Sequence, residues 1–290
     1  MFAHSRTLQN IGFALLFSSS LAVFWTPLNT LIRFSLQHDQ YSHILLVPIV
    51  SLSLLVLERR RIFAQVETCW GLGSGLILAG VLLYSFGLSR AFSWSENDQL
   101  SLAISSLVTI WVGGFILCYG PRAFRLGLLP MLFLYVMVPI PDVLLNRVIF
   151  WLQVGSAEVS YAMFQLLDVP VLRTGLIFSL PGVTIQVTEE CSGIRSGVAL
   201  LIVSLLAGHL FLRSAGLKTL LILATIPLLL VKNGIRIVTL SLLSIYVDPG
   251  FLTGSLHRSG GILFFILALV ILAPVLWILQ RSKPTASPAP

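Results

Sequence analysis

The sequence predicts an all-α integral membrane protein with about eight transmembrane helices, an outer amphipathic helix and a small β-hairpin. Three observations carry that expectation. Over 290 residues the chain is 57% hydrophobic and 10% charged, whereas an ordinary soluble domain is about 25% charged. The apolar residues gather into runs close to the roughly 20 residues that a helix needs to cross a hydrocarbon core about 30 Å thick. The cations fall in short groups between those runs, so the net charge of +7 reads as membrane orientation and not as a basic face for nucleic acid.

Eight runs are read as spans, near residues 11–32, 41–57, 71–88, 100–119, 123–140, 192–212, 217–247 and 260–279. Together they form one polytopic membrane domain over residues 1–283, followed by a disordered tail at 284–290. The first run has nearly full spanning length and no small-residue cleavage site after it, so it reads as a span and not as a cleavable signal peptide. The second run is short. Lys and Arg concentrate in cytoplasmic loops, and the eight-span arrangement places ten cations inside: Arg6, Arg59, Arg60, Arg61, Arg122, Arg125, Arg213, Lys218, Arg281 and Lys283. Five fall outside: Arg33, Arg90, Arg147, Arg173 and Arg258. Both termini are then cytoplasmic.

Residues 141–190 form the outer segment. Val143 to Leu167 is apolar enough to pass for a ninth span, but Asn146, Arg147, Gln153 and Glu158 interrupt it. A span there would also turn Arg213, Lys218, Arg281 and Lys283 to the outside, so an amphipathic helix lying on the outer surface is expected. After it, Leu176–Leu180 and Val183–Val187 are β-prone runs around Pro181-Gly182, the pattern of a hairpin. That hairpin leads into Glu189-Glu190-Cys191-Ser192-Gly193-Ile194-Arg195-Ser196, where the next span begins.

Cys69, Cys118 and Cys191 offer neither a disulfide framework nor a CxxC metal pair. Cys69 and Cys118 read as small hydrophobes. Cys191, flanked by charge and glycine, is expected at the outer N-terminus of a helix, where backbone amides and the helix dipole favour a thiolate. Glu189 and Glu190 oppose it, so a nearby cation is needed. The following span contains Lys232-Asn233-Gly234-Ile235-Arg236, with Lys232 and Arg236 one turn apart on one face. Charges in a spanning helix cost roughly 2.5 kcal/mol or more each, so they usually face a polar interior; the alternative for both is snorkelling to the head groups. Counting from Leu217 sets Arg236 at the depth of Cys191, and His257 closes the outer loop from Asp248. A loop histidine is often merely solvated, yet a thiol, a guanidinium and an imidazole at one depth have the chemistry of a nucleophile, a charge stabiliser and a general acid or base.

The segments Glu190-Cys191-Ser192-Gly193-Ile194-Arg195-Ser196 and Asn233-Gly234-Ile235-Arg236-Ile237, followed by His257, resemble the exosortase family of bacterial membrane transpeptidases. Tyr41-Ser42-His43 and Pro139-Ile140-Pro141 are similar to that family too, with Ile44 standing where its pattern has glycine, and the resemblance runs from about residue 35 to residue 280. It implies a bacterial inner-membrane enzyme with an extracytoplasmic active site. The partners implied are exported proteins tethered by a C-terminal sorting tail, made of a Pro-Glu-Pro-like motif, a membrane span and a basic end. It further implies Cys191 as nucleophile, Arg236 as stabiliser and His257 as proton-transfer residue. Arg195, Glu190, Lys232, Asn233 and His43 are second-tier candidates for substrate contact. No metal or organic cofactor is implied, and the oligomeric state is left open.

A transporter or channel is the main alternative, since Lys232, Asn233 and Arg236 are of the kind that line a pathway. The polar residues cluster near one face, however, and no paired broken helices recur in matching halves. A serine or metalloprotease fits less well, because neither GxSxG nor HExxH occurs.

Overall fold

The computed structural model describes residues 2–89, 93–252 and 261–282. It divides into two compact units, residues 1–145 and 146–290. Among the described residues six helices are long and apolar enough to cross a membrane, and eight spans result if two bent pairs each count as one.

In the first unit α1 (Phe2–Val23) and α2 (Trp25–Gln37) meet at a bend of 70°, so the run near 11–32 is a broken helix and not a straight rod. Pro27 accounts for the break, having no N–H to give to the Val23 carbonyl and a ring that crowds the preceding turn. A 3₁₀ turn over Asp39–Leu46 leads into α3 (Val47–Ile62). This carries the second span beyond Leu57, so that Arg59, Arg60 and Arg61 close its last turn, where cations suit the helix dipole.

α4 (Trp70–Gly87) and α5 (Glu96–Leu126) form the centre of this unit. Small residues allow their backbones to touch, which is how helices associate where there is no water to drive them together. A Cβ at Gly73 would fall on the Leu117 backbone, and one at Gly113 would stand 2.9 Å from the Ile77 nitrogen. Ser106 Oγ donates to the Gly80 carbonyl at 2.6 Å across the same seam. Trp111 Nε1 donates to Ser20 Oγ at 2.8 Å, and the Tyr119 hydroxyl donates to Asn10 Oδ1 at 3.0 Å.

α5 runs through a kink at Gly120, whose φ of 88° suits glycine, followed by Pro121. Pro121 cannot donate to the Leu117 carbonyl, and Cys69 N donates to it instead, while Glu67 N donates to the Tyr119 carbonyl. The run near 123–140 is therefore divided. Its first residues finish α5, Gly127 interrupts, α6 (Leu128–Phe133) and a 3₁₀ turn (Leu134–Met137) follow, and the chain is extended through Pro139-Ile140-Pro141. That extended piece is clamped to the start of α5. Ser101 Oγ donates to the Pro139 carbonyl, Asn97 Nδ2 to the Ile140 carbonyl and to Asp142 Oδ1, and Asp142 N to Asp98 Oδ1, all within 2.9 Å.

α7 (Asp142–Leu166) begins in the first unit and belongs from Asn146 onward to the second, where it buries Ser156, Ala157, Ser160 and Phe164 along one face. Three strands follow, β1 (Leu172–Thr174), β2 (Ile177–Leu180) and β3 (Val183–Gln186), antiparallel in the order β1-β2-β3. The expected hairpin is thus the second half of a three-stranded sheet, and β1 is too short to announce itself in sequence. Pro181-Gly182 makes the β2–β3 turn, with Gly182 at φ 78°. Phe178 and Leu180 bury one face of the sheet against Phe164, Ala157, Ile237 and Val238. Arg173 stacks over the Phe178 and Tyr161 rings and bonds Glu158 Oε1 at 2.7 Å.

A 3₁₀ turn (Glu189–Cys191) then enters α8 (Ile194–Phe211), α9 (Ala215–Tyr246) and α10 (Gly261–Arg281). These three pack around Leu200, Leu221, Leu228, Ala268 and Leu272. Ser214 caps α9 by accepting from Leu217 N.

Replacing Gly73 by Ala should lower the thermal unfolding midpoint in detergent, at a cost of about 1–3 kcal/mol for overpacking a tight contact. Gly75→Ala, where an added Cβ meets nothing within 4 Å, should leave the midpoint unchanged or slightly raised in the same measurement.

Candidate active site

Cys191 closes the 3₁₀ turn and does not start the spanning helix. Its own N–H donates to the Thr188 carbonyl, and Ser192 N donates to the Glu189 carbonyl. Gly193 then takes the left-handed conformation at φ 78°, and α8 begins only at Ile194. The thiol therefore sits three residues ahead of the helix that was expected to start beside it, and the dipole of α8 acts on it from farther away. A cation shares its pocket: Arg236 of α9 lines it together with Cys191. The rest of that pocket is Ile185, Gln186 and Val187 from β3 and its exit, and Ile237, Leu240 and Ser241 from α9.

The residue that fixes this turn is Asn233. Its side chain is fully buried, and its Nδ2 donates to the Cys191 carbonyl at 2.6 Å and to Ser156 Oγ of α7 at 2.9 Å. Its Oδ1 has no hydrogen-bond partner among the described residues. That oxygen lies 3.1 Å from where a Cβ on Gly193 would stand, so position 193 demands glycine both for its backbone angle and for the space taken by Asn233. Ser192 is fully buried beneath the turn.

Lys232 is 2% exposed and donates from Nζ to Ser196 Oγ, which ties α9 to the first turn of α8. Arg236, one turn further along α9, is half-buried. Gly234 lets α9 approach α7, where a Cβ would press on Val159. The strand exit is held as well, by Gln153 Nε2 of α7 donating to the Val187 carbonyl at 2.9 Å.

The structure thus brings Cys191, Asn233, Lys232 and Arg236 into one neighbourhood. Arg195 is exposed on the first turn of α8, and the backbone of Glu190 belongs to the 3₁₀ turn. His43 is half-buried in the 3₁₀ turn of the first unit. His257, the expected proton-transfer residue, lies outside the described residues. Among the described residues no three His, Cys, Asp or Glu side chains are grouped to hold a metal ion. Sequence reasoning missed Ser156, Gln153 and Ser196 as supports. The signal for the first two was the polar spacing Gln153, Ser156, Ser160 on one helical face, of which the sequence reading uses Gln153 alone, as a reason against a span.

Comparison with known proteins adds one positive finding. Neither curated proteins nor solved structures give a match. The family model described as transmembrane exosortase matches residues 29–274. That stretch holds both the Cys191 turn and the Asn233–Arg236 segment of α9 that supports it, and on a match of this extent the chain belongs to the transmembrane exosortase family.

Proposed function

We propose that this membrane transpeptidase of the exosortase type is a cysteine enzyme that cleaves exported proteins at a C-terminal Pro-Glu-Pro-like sorting tail and passes them to an acceptor through a thioester. The observation that carries the proposal is the pocket shared by Cys191 and Arg236, with the Cys191 carbonyl anchored by Asn233. A nucleophile needs a fixed backbone and an electrophilic partner within reach of the same atom.

In this mechanism the Cys191 thiolate attacks the scissile carbonyl carbon and forms a C–S bond, leaving a tetrahedral oxyanion that Arg236 stabilises. Collapse breaks the C–N bond, the departing amine takes a proton from His257, and the retained protein remains as a thioester. His257 then removes a proton from an incoming amine or water, which attacks the thioester and releases the thiolate. Lys232, hydrogen-bonded to Ser196, contributes positive potential one turn from Arg236 without touching the reacting atoms. The same hydrogen bond argues against Lys232 as a station on a transport pathway. The positive-inside pattern supports an extracytoplasmic site in a bacterial inner membrane with both termini cytoplasmic.

The test is coexpression with an exported reporter that carries a Pro-Glu-Pro motif, a membrane span and a basic end taken from the same genome. Processing is read as a size shift on a blot. Cys191→Ala should lose it by at least about 1000-fold at unchanged enzyme level, because nucleophile removal leaves only binding and oxyanion contributions; normal maturation would sink the nucleophile assignment. Arg236→Lys should slow processing by about 100-fold, the scale for one lost oxyanion donor, since lysine offers a point charge where arginine offers a planar fork. Near-normal turnover in that variant would leave Arg236 with a purely electrostatic role.

A further inference from the structure

The hydroxyl of Ser196 has one proton and two lone pairs. Lys232 Nζ donates to it, and the hydroxyl in turn donates to the Gly193 carbonyl at 3.0 Å. An ammonium is a donor only, so Lys232 offers the hydroxyl proton no acceptor and leaves it to Gly193. The same carbonyl accepts from Gly197 N at 2.8 Å, where the helical bonding of α8 begins. The peptide group between Gly193 and Ile194 is therefore held twice.

Two peptide groups earlier, the Cys191 carbonyl is held by Asn233 Nδ2 at 2.6 Å. Peptide groups are planar and stiff, so fixing these two leaves only the torsions of Ser192 and Gly193 between them. Ser192 is right-handed at φ −65° and ψ −24°, and Gly193 is left-handed at φ 78° and ψ 14°. Glycine reaches many other conformations at little cost, so the left-handed step needs an outside hold. Lys232 and Asn233 are consecutive residues of α9, and Arg236 lies on the next turn of the same helix. One helix thus grips the turn at two points and also presents the cation that shares a pocket with Cys191.

Resting on the cysteine-peptidase reading above, we infer that Lys232 and Ser196 are positioning residues for the nucleophile. Lys232 orients the Ser196 hydroxyl, the hydroxyl holds the Gly193 carbonyl, and together with Asn233 on the Cys191 carbonyl this chain keeps the thiol in register with Arg236. Neither residue touches the reacting atoms. Losing the hold costs alignment, and a misplacement of about 1 Å between reacting groups can slow a reaction by about 100-fold. The hydroxyl of Ser196 then matters to turnover as much as the ammonium of Lys232 does.

The test is steady-state kinetics of the full-length enzyme on the tail-bearing reporter, with Ser196→Ala, Lys232→Met and the double variant. Each single substitution should lower kcat by at least about tenfold with KM unchanged. The double variant should be no slower than the slower single, because links of one chain do not add. Wild-type turnover by Ser196→Ala, or losses that multiply in the double variant, overturn the assignment. Ser196→Ala leaves a buried ammonium without its acceptor, which can unfold the protein, and the thermal midpoint in detergent reports this. In that event the double variant decides, since it carries neither group, through its kcat and the pH midpoint of Cys191 alkylation read by mass spectrometry. A kcat loss larger than any shift of that midpoint accounts for supports positioning. Wild-type kcat, or a midpoint raised by about one unit for each tenfold of loss, the mark of a missing charge alone, overturns it. Wild-type processing that does not depend on Cys191 defeats the peptidase reading itself and is recognised before any of these variants is compared.

Discussion

The two hydrogen bonds of the Asn233 amide hold the turn that carries Cys191 against α7 and α9. One goes to α7 through Ser156 and the other to the carbonyl of the residue that carries the thiol. Ser156 is fully buried, and leaving such a group unpaired costs about 1–3 kcal/mol. A single side chain on α9 thus determines where the turn before α8 lies, and the turn determines where Cys191 lies. Gly193 belongs to the same constraint, because the amide fills the volume that a larger residue would need.

Charge is distributed around this anchor by helical spacing. Lys232, Asn233 and Arg236 share the inner side of α9, and each meets different surroundings: Lys232 a hydroxyl of α8, Asn233 the turn and α7, Arg236 the pocket. Lys232 turns to Ser196 of α8 whereas Arg236 lines the pocket of Cys191, so two cations one turn apart on α9 have different surroundings. Burial of a cation at membrane depth is costly, and the Ser196 contact offsets part of that cost.

Much of the fold was legible because spanning helices announce themselves by run length. Trp70–Gly87 lies within a residue of the run near 71–88, and Pro181-Gly182 gave away the β2–β3 turn. What escaped is what depends on partners. The break at Phe24 follows from one proline inside an apolar run. The passage of α5 through Gly120-Pro121 relies on amides from another segment. At the site, the residue types and their spacing pointed to Cys191 and Arg236, but not to the supports on α7. Ser156 is 77 positions from Asn233, and no periodicity links residues so far apart. The start of α8 was misread because Gly193, taken as part of a helix start, sits in the left-handed region and separates the thiol from the helix.

The exchange of hydrogen bonds at the Gly120-Pro121 kink also bears on how the sequence can change. Surface connections usually gain or lose residues freely, but the link between α3 and α4 supplies Glu67 N and Cys69 N to carbonyls that α5 has left open. In a low-dielectric surrounding those carbonyls have few other partners. Inserting or deleting one residue between Ile62 and Trp70 would shift both donors out of register, so this connector is fixed in length as firmly as the helices it joins.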